Sequence, residues 1–192
     1  MNSLVNEYQR DALQELLNIS MGQAADALAR LIDAKIKLSI PRISSVSPED
    51  FIAMIHDDHN WRTRQSFNGV ITGEVISLLS RTGCEDIAEL MGYSVPLNSV
   101  TLEELLLEVS NILAGACLRG FADQLDIDTN LSMPTMFKAD KYLCIDNYQW
   151  STTLMMEVDF KVELRQFDSK IMICLDTNSI APLIERINHL LE

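Results

Sequence analysis

Basic residues are scarce in this sequence, and their scarcity excludes one class of partner. Lys and Arg number 15 among 192 residues, against 28 Asp and Glu, so the formal net charge at pH 7 is −13. The basic residues are also scattered along the chain, whereas binding to nucleic-acid phosphates requires clustered Lys and Arg. We therefore exclude nucleic acid as a partner and interpret the acidity as ordinary surface solubility.

Long apolar runs and targeting segments are absent as well. No apolar run approaches the roughly 20 residues that a membrane-spanning helix requires. The first residues contain no basic segment of the kind that opens a secretory signal. The sequence therefore predicts a cytoplasmic protein with no membrane partner.

The cysteines and histidines form no motif that binds metal or carries redox chemistry. His56 and His59 lie three residues apart in a polar stretch, but no third ligand accompanies them, so we predict no metal site. A Gly-rich phosphate loop and a nucleophile elbow are also absent. The cysteines lie at least 27 residues apart, and this spacing favours reduced thiols that fill the core. They are Cys84, Cys117, Cys144 and Cys174.

The hydrophobic patterns of the first half predict a mixture of helices and strands. With 192 residues, 47% of them hydrophobic, the chain can bury one substantial core, or two small ones that share a sheet. A helical period over 3–33, opened by Asn2 or Ser3, is followed by a strand at 35–40 that continues over 42–46. We then predict, in order, a short helix or turn opened by Pro48, a loop at 56–64, a hairpin at 67–79 over Thr72 and Gly73, and a short helix at 83–91.

The second part of the chain repeats this order. We predict a helix at 101–125, a strand near 135–145, a hairpin at 154–175 and a helix at 178–191. Long helices combined with mainly antiparallel strands are typical of the α+β class.

These patterns predict one domain over 1–192 that is built from two halves, 3–92 and 100–191. Each half is a helix, a strand, a hairpin and a helix, and a pseudo-twofold axis relates the two. We expect the halves to share the antiparallel sheet, with both long helices on the outside. The linker at roughly 93–100 is too short to separate independent domains.

The strongest signal is a stretch of the first long helix that recurs 93 residues later. At 100° per residue, its four polar positions fall within an arc of roughly 60°, opposite an apolar stripe. Asn is unfavourable in the middle of a helix because its side chain competes for backbone groups, so its recurrence in register indicates a function. The first copy is Asp11, Glu15, Asn18 and Gly22, followed by Pro41; the second is Glu104, Glu108, Asn111 and Gly115, followed by Pro134.

This pattern, acid-x3-Glu-x2-Asn-x22-Pro, closely resembles the signature of the CheC/CheX/FliY-type phosphatases of bacterial chemotaxis. Two copies in one chain are similar to a stand-alone two-site CheC-like protein. The resemblance implies hydrolysis of the phospho-aspartate of a CheY-like receiver domain. In that reaction Asn18 and Asn111 would orient the attacking water, while Glu15 and Glu108 would pair with the lysine of the receiver's active site.

The resemblance also implies what the chain does not need and what else it can be. The Mg²⁺ would belong to the phosphorylated receiver, so we expect no cofactor in this chain. The alternative is a binding module without catalysis. Such a module would dock on receivers, on a flagellar-switch component or on a chemoreceptor deamidase.

The leading acids of the two copies differ. Asp11 matches the family's Asp-or-Ser position, whereas Glu104 departs from it. Thr101 and Glu104 have the spacing of a capping box, which predicts that Glu104 serves the start of the second helix. Because the first helix is predicted to start at Ser3, about two turns before Asp11, we predict that the first site is the more active one.

The glycines and prolines of the pattern are predicted to act through the backbone. Gly22 and Gly115 would keep the polar stripe flat for an approaching protein backbone, or Gly22 would allow close packing of helices. Pro41 and Pro134 are expected to shape the strand after each helix and not to contact the substrate.

Overall fold

The computed structural model describes residues 4–56, 58–137, 153–163 and 165–192, and these form five α-helices and eight strands. The helices are α1 (Glu7–Ile32), α2 (Pro48–Ile55), α3 (Cys84–Leu90), α4 (Ser99–Leu125) and α5 (Ile180–Leu191), the last preceded by a 3-10 turn at Thr177–Ser179. The strands are β1 (Ile36–Leu38), β2 (Arg42–Val46), β3 (Asn60–Gly69), β4 (Gly73–Ser80), β5 (Thr129–Leu131), β6 (Thr135–Met136), β7 (Thr153–Val162) and β8 (Asp168–Leu175).

The strands form one antiparallel sheet, and the strand order is the same whichever half it is read from. Its order is β1-β7-β8-β4-β3-β5, with β2 paired to β7 and β6 paired to β3. Exchanging each strand for its counterpart in the other half reverses this order and leaves the sheet unchanged. The α+β fold with two pseudo-twofold-related halves is therefore confirmed, whereas the assignment of residues 1–192 to a single domain stays a prediction.

The halves also match in their hydrogen bonds, at the same offset of 93 residues that separates the two motifs. After β1, the Ser39 N–H donates to Asp159 O at 3.0 Å, and Ser39 Oγ accepts from the Asp159 N–H at 2.9 Å. After β5, the Ser132 N–H donates to Ser66 O at 2.8 Å, and Ser132 Oγ accepts from the Ser66 N–H at 2.9 Å. The strand after each motif helix is thus fixed to the sheet in the same way.

The main core lies between the sheet and the two long helices. α1 and α4 pack against each other, and α5 closes the same layer. Their inward stripes include Leu13, Leu17, Leu113 and Phe121, all fully buried. On the opposite face of the sheet, α2 contributes Phe51 and other buried residues to a smaller apolar cluster.

Among the described residues, α4 alone has the length and apolar composition of a membrane-crossing helix. Within its most apolar window, 61% is buried inside the protein. Core helices of globular proteins have the same composition, and α4 packs against α1 in the main core.

The described cysteines lie in the core as free thiols. Cys84, Cys117 and Cys174 are buried and make no disulfide. Burial raises the pKa of Cys84 to about 11 and that of Cys117 to about 12, and it raises the pKa of Cys174 as well. These thiols therefore stay protonated near neutral pH, while Cys144 lies outside the described residues.

Both long helices start at different residues from those that the sequence predicted. α1 begins at Glu7 and not at residue 3, because Asn6 caps it: Asn6 Oδ1 accepts from the Gln9 N–H at 2.9 Å and Gln9 Oε1 accepts from the Asn6 N–H at 3.0 Å. α4 begins at Ser99, two residues earlier than predicted.

The predicted capping box of α4 is wrong. Asn98 Oδ1 accepts from the backbone N–H groups of Val100 and Thr101, both at 3.0 Å, so Asn98 is the N-cap. Thr101 is then the third residue inside the helix, and Glu104 takes no part in the cap. Residue-type spacing alone did not distinguish the two possible starts.

The predicted loop at 56–64 is wrong from Asn60 onwards. β3 starts at Asn60 because its polar side chains Thr63 and Gln65 point beneath α4, where both are buried and hydrogen-bonded. The strand predicted near 135–145 is described only as β6, which ends at Met136, and residues 138–145 lie outside the described part. The hairpin turn of β3 and β4 spans 70–72, with Gly73 already in β4.

Candidate functional site

The polar stripe of α1 faces outward on a well-supported helix. Asp11, Glu15 and Asn18 are exposed, whereas Leu13 and Leu17 on the opposite side are fully buried. Among the described residues, the side chains of Glu15 and Asn18 have no hydrogen-bond or ion-pair partner. The structure therefore presents a carboxylate and an amide, one turn apart and free to bind another molecule.

The stripe of α4 contains the same groups, but neighbouring side chains hold them. Glu108 is exposed, and its Oε2 accepts a hydrogen bond from the Tyr93 hydroxyl at 2.5 Å. That hydrogen bond is the main reason that the pKa of Tyr93 rises to about 12. Tyr93 lies in the linker between α3 and α4.

Asn111 is held by Gln65 of β3, and the contacts fix which way its amide points. Gln65 Nε2 lies 3.1 Å from Ser132 O and 3.1 Å from Asn111 Oδ1. A backbone carbonyl only accepts, so the Gln65 atom beside it is the NH2 nitrogen, and its other hydrogen requires an acceptor on Asn111. The Asn111 oxygen thus already accepts one hydrogen bond from the sheet, whereas its NH2 group has no hydrogen-bond partner among the described residues.

The first site has no equivalent of Gln65. The residue 93 positions after Gln65 is Val158, which is buried on β7 and has no hydrogen-bonding side chain. The Gln65 side chain is itself buried, and among the described residues its Oε1 has no hydrogen-bond partner.

Neither Tyr93 nor Gln65 was singled out from the sequence, because neither belongs to the motif.

The leading acids occupy similar places on their helices. Asp11 is the fifth residue of α1, and Glu104 is the sixth residue of α4; both are exposed. The predicted difference between them, which rested on Ser3 and Thr101 as helix starts, is therefore wrong.

Among the described residues, neither motif glycine has a packing role. A Cβ atom added at Gly22 meets nothing within 4 Å, and one added at Gly115 meets only Leu131 Cδ2, at 4.0 Å. Glycine in a helix interior costs about 1 kcal/mol relative to alanine. The alternative that Gly22 allows close helix packing is thus excluded, which leaves the surface of each stripe as the reason for its glycine.

The motif prolines lie beside the stripes and not in them. Pro41 is buried and Pro134 is half-buried, and each immediately precedes the strand that continues along the sheet edge, β2 or β6. This placement agrees with a role in shaping the strand.

No group of three His, Cys, Asp or Glu side chains within the described residues is arranged to hold a metal ion. A Glu and an Asn on an open helix face are instead suited to contact with a protein surface, where the carboxylate pairs with a cation and the amide both donates and accepts.

Comparison with known proteins gives one family match and the fold. The CheC-like family matches residues 9–45, the segment that contains the whole first motif with its proline. FliY from Thermotoga maritima superimposes with a TM-score of 0.73 at 16% sequence identity, covering 96% of this chain and 98% of FliY. The chemotaxis protein CheX from Desulfovibrio desulfuricans superimposes with a TM-score of 0.59 at 11% identity, over 84% of this chain and 99% of CheX.

The same fold also occurs in one chain of a solved protein complex. In the FliG–FliM complex from H. pylori, the matching chain superimposes with a TM-score of 0.66 at 9% identity, over 92% of this chain and 98% of that one. At these identities the structural matches show the fold alone, whereas the family match falls on the first Glu/Asn motif itself. The family match and the shared fold of FliY and CheX together support the CheC/CheX/FliY-type family as the family of this chain.

Proposed function

We propose that this chain is a cytoplasmic phosphatase that hydrolyses the phospho-aspartate of a CheY-like receiver domain. The observation that carries the proposal is the exposed pair Glu15 and Asn18 on α1, without partners among the described residues and repeated as Glu108 and Asn111 on α4. Chemotaxis proteins share the fold, and the family match covers the first pair.

The reaction requires little covalent chemistry from this chain. Water attacks the phosphorus of the acyl phosphate, the bond between phosphorus and the aspartyl oxygen breaks, and the aspartate leaves as a carboxylate together with inorganic phosphate. The Asn18 oxygen would accept a hydrogen bond from that water while its NH2 group donates to a phosphoryl oxygen. Positioning of this kind supplies much of the rate enhancement when no covalent intermediate forms.

Glu15 would anchor the complex. Its carboxylate lies one turn before Asn18 on the same face, so an ion pair with the receiver's lysine would place the amide beside the phosphoryl group. α1 is a suitable carrier because its inward face is locked in the core and its outward face is free. Gly22, one turn further on, would leave room for the receiver backbone.

The second site would work less well than the first. A receiver that docks on α4 has to displace the Tyr93 hydroxyl from Glu108 and meets an Asn111 whose oxygen is engaged by Gln65. The same two groups on α1 carry no such bonds within the described part of the chain. The first site is therefore still predicted to be the more active one, because of these hydrogen bonds and not because of the helix starts.

The decisive experiment is phosphate release from a purified phosphorylated receiver, with and without this protein. We expect acceleration by the wild-type chain and none by the double variant Asn18→Ala/Asn111→Ala. Gln23→Ala, which removes an exposed amide of α1 outside the stripe, is the matched control and retains the wild-type rate. An unchanged rate for the double variant contradicts the catalytic assignment.

A binding module without catalysis is the second candidate, favoured by the fold that this chain shares with the FliM middle domain from H. pylori. Its partners would be a receiver, a flagellar-switch component or a chemoreceptor deamidase. Binding of the receiver without any accelerated release of phosphate would favour this function over the phosphatase.

A further inference from the structure

We propose that Ile40 and Met133 are apolar anchors on which the receiver docks, one at each site. This inference rests on the proposed function and extends its binding surface beyond the motif. Met133 is 79% exposed and Ile40 is 75% exposed, although both side chains are large and apolar.

The two residues are equivalent in the repeat. The described part of the chain has eleven exposed large hydrophobic residues, and Ile40 and Met133 are the only two of them that lie 93 positions apart. A single exposed apolar residue is ordinary in a folded protein. An apolar side chain that stays exposed at the same place in both halves indicates a surface that each half uses.

The backbone holds both side chains rigidly. Ile40 lies between Ser39, which exchanges two hydrogen bonds with Asp159, and Pro41. Met133 lies between Ser132, which exchanges two hydrogen bonds with Ser66, and a proline. A residue fixed on both sides loses little backbone entropy when it binds, and such preorganisation favours affinity.

Met133 lies beside the Asn of its own site, and the repeat assigns Ile40 the equivalent position at the first site. At the second site, Gln65 Nε2 bridges Asn111 Oδ1 and Ser132 O, both at 3.1 Å, so the residue after Ser132 adjoins the motif amide. Asn111, Gly115 and Met133 line one cleft of about 440 Å³. The matching hydrogen bonds of Ser39 and Ser132 give Ile40 the corresponding place next to α1.

The arrangement specifies the chemistry of the partner. A carboxylate, an amide and a small glycine surface lie on the helix, and an apolar side chain projects from the adjoining loop. A receiver that places its lysine on the Glu and its phospho-aspartate near the Asn would also bring part of its surface against Ile40 or Met133. We expect that part of the receiver surface to be apolar. Apolar contact of this kind adds affinity without taking part in the chemical step, so it acts on KM.

The test separates affinity from catalysis at each site. Ile40→Ser is assayed in the Asn111→Ala background and Met133→Ser in the Asn18→Ala background, so that each assay reports one site. We expect KM for the phosphorylated receiver to rise about tenfold, equivalent to about 1.4 kcal/mol, while kcat stays within about twofold. Ile40→Met, which keeps an apolar side chain, restores the affinity.

The matched controls are Leu190→Ser and Leu191→Ser, which remove exposed apolar side chains of α5 away from both stripes. Both controls retain the wild-type KM. Thermal unfolding verifies that all variants are folded, as expected for changes at exposed positions. Direct binding of a receiver activated by beryllofluoride measures affinity even when turnover is slow.

Three results overturn the inference. If Ile40→Ser and Met133→Ser behave like the α5 controls, the anchors are not part of the docking surface, although the proposed function stands. If these substitutions change the oligomeric state and leave receiver affinity unchanged, the side chains mediate contact between copies of this chain. If the wild-type chain neither binds nor dephosphorylates any receiver, the proposed function fails and the anchors fail with it.

Discussion

The two motif helices carry the same Glu and Asn at the same spacing, but the strands beneath them differ. Under α4, Thr63 Oγ1 donates to Ser110 Oγ at 2.7 Å and Gln65 bonds to Asn111. The positions 93 residues from Thr63 and Gln65 are Met156 and Val158, both buried and without such bonds. The comparison teaches that the same outer stripe can rest on polar side chains, as under α4, or on apolar ones, as under α1.

The different side chains beneath the two helices affect how the amides of Asn18 and Asn111 can contact a ligand. Asn18 is free to turn either its oxygen or its NH2 group toward a ligand, whereas Asn111 presents its NH2 group because its oxygen faces Gln65. Orientation of a water molecule requires the oxygen. We therefore expect the second site to bind a phosphoryl group more readily than it hydrolyses one.

The largest effect is expected when the motif Asn of one site is replaced at a time. Asn18→Ala removes most of the accelerated dephosphorylation, and Asn111→Ala removes little, since a difference of 1.4 kcal/mol in the barrier is about tenfold in rate. Both variants are assayed on the same phosphorylated receiver. Equal losses, or a greater loss with Asn111→Ala, would contradict the inequality of the sites.

The next effect concerns the anchoring carboxylates. Glu15→Gln raises KM for the receiver about fivefold with little change in kcat, because it removes an ion pair and not a group that reacts. Glu108→Gln raises KM less, because its carboxylate is shared with Tyr93. Raised ionic strength weakens the wild type more than Glu15→Gln. Glu185→Gln, on α5, is the control; a loss confined to kcat would instead assign general-base chemistry to Glu15.

Removing the side chains that hold Asn111 and Glu108 should raise the dephosphorylation rate of the second site. In the Asn18→Ala background, Gln65→Val makes the support resemble that of the first site, and Tyr93→Phe frees Glu108. Each hydrogen bond that no longer has to break is worth about 1 kcal/mol, so we expect a rise of roughly fivefold in the remaining rate. A fall in that rate would show that Gln65 positions Asn111 for catalysis and does not restrain it.

The smallest effect tests the motif glycines. Gly22→Ala raises the free energy of unfolding by about 0.5–1 kcal/mol, because alanine favours the helix and its Cβ meets nothing. The same change weakens receiver binding about threefold. The control is Gly120→Ala, whose Cβ would lie 2.2 Å from Gln23 Oε1, so denaturant unfolding gives no comparable gain in stability. Unchanged affinity with Gly22→Ala would exclude close approach at this point.

The sequence was most informative where a pattern repeats and least informative where the fold brings distant residues together. The offset of 93 predicted the α+β halves and placed Glu15 and Asn18 on an exposed face. It did not predict Gln65, which reaches Asn111 only because β3 runs beneath α4. The polar composition of Thr63 and Gln65 resembles that of a loop, and only tertiary hydrogen bonds make these residues part of a buried strand.

The helix starts illustrate a second limit. Asn98 and Thr101 are both good N-cap residues, and the choice between them depends on where the chain leaves the linker. Tyr93 lies in that linker, so its bond to Glu108 was equally hidden from local patterns.

The crossed pairing of the edge strands has a consequence for how the chain folds. β1 of the first half is completed by β7 of the second, and β5 of the second half is completed by β3 of the first. Neither half has a finished sheet without the other, and these contacts join residues far apart in sequence, which slows folding. We expect a fragment that ends in the linker to remain unstructured until the other fragment is added. Loss of structure at one stripe therefore extends to the other. Both sites are lost at the same rate, which is the rate at which the whole sheet unfolds.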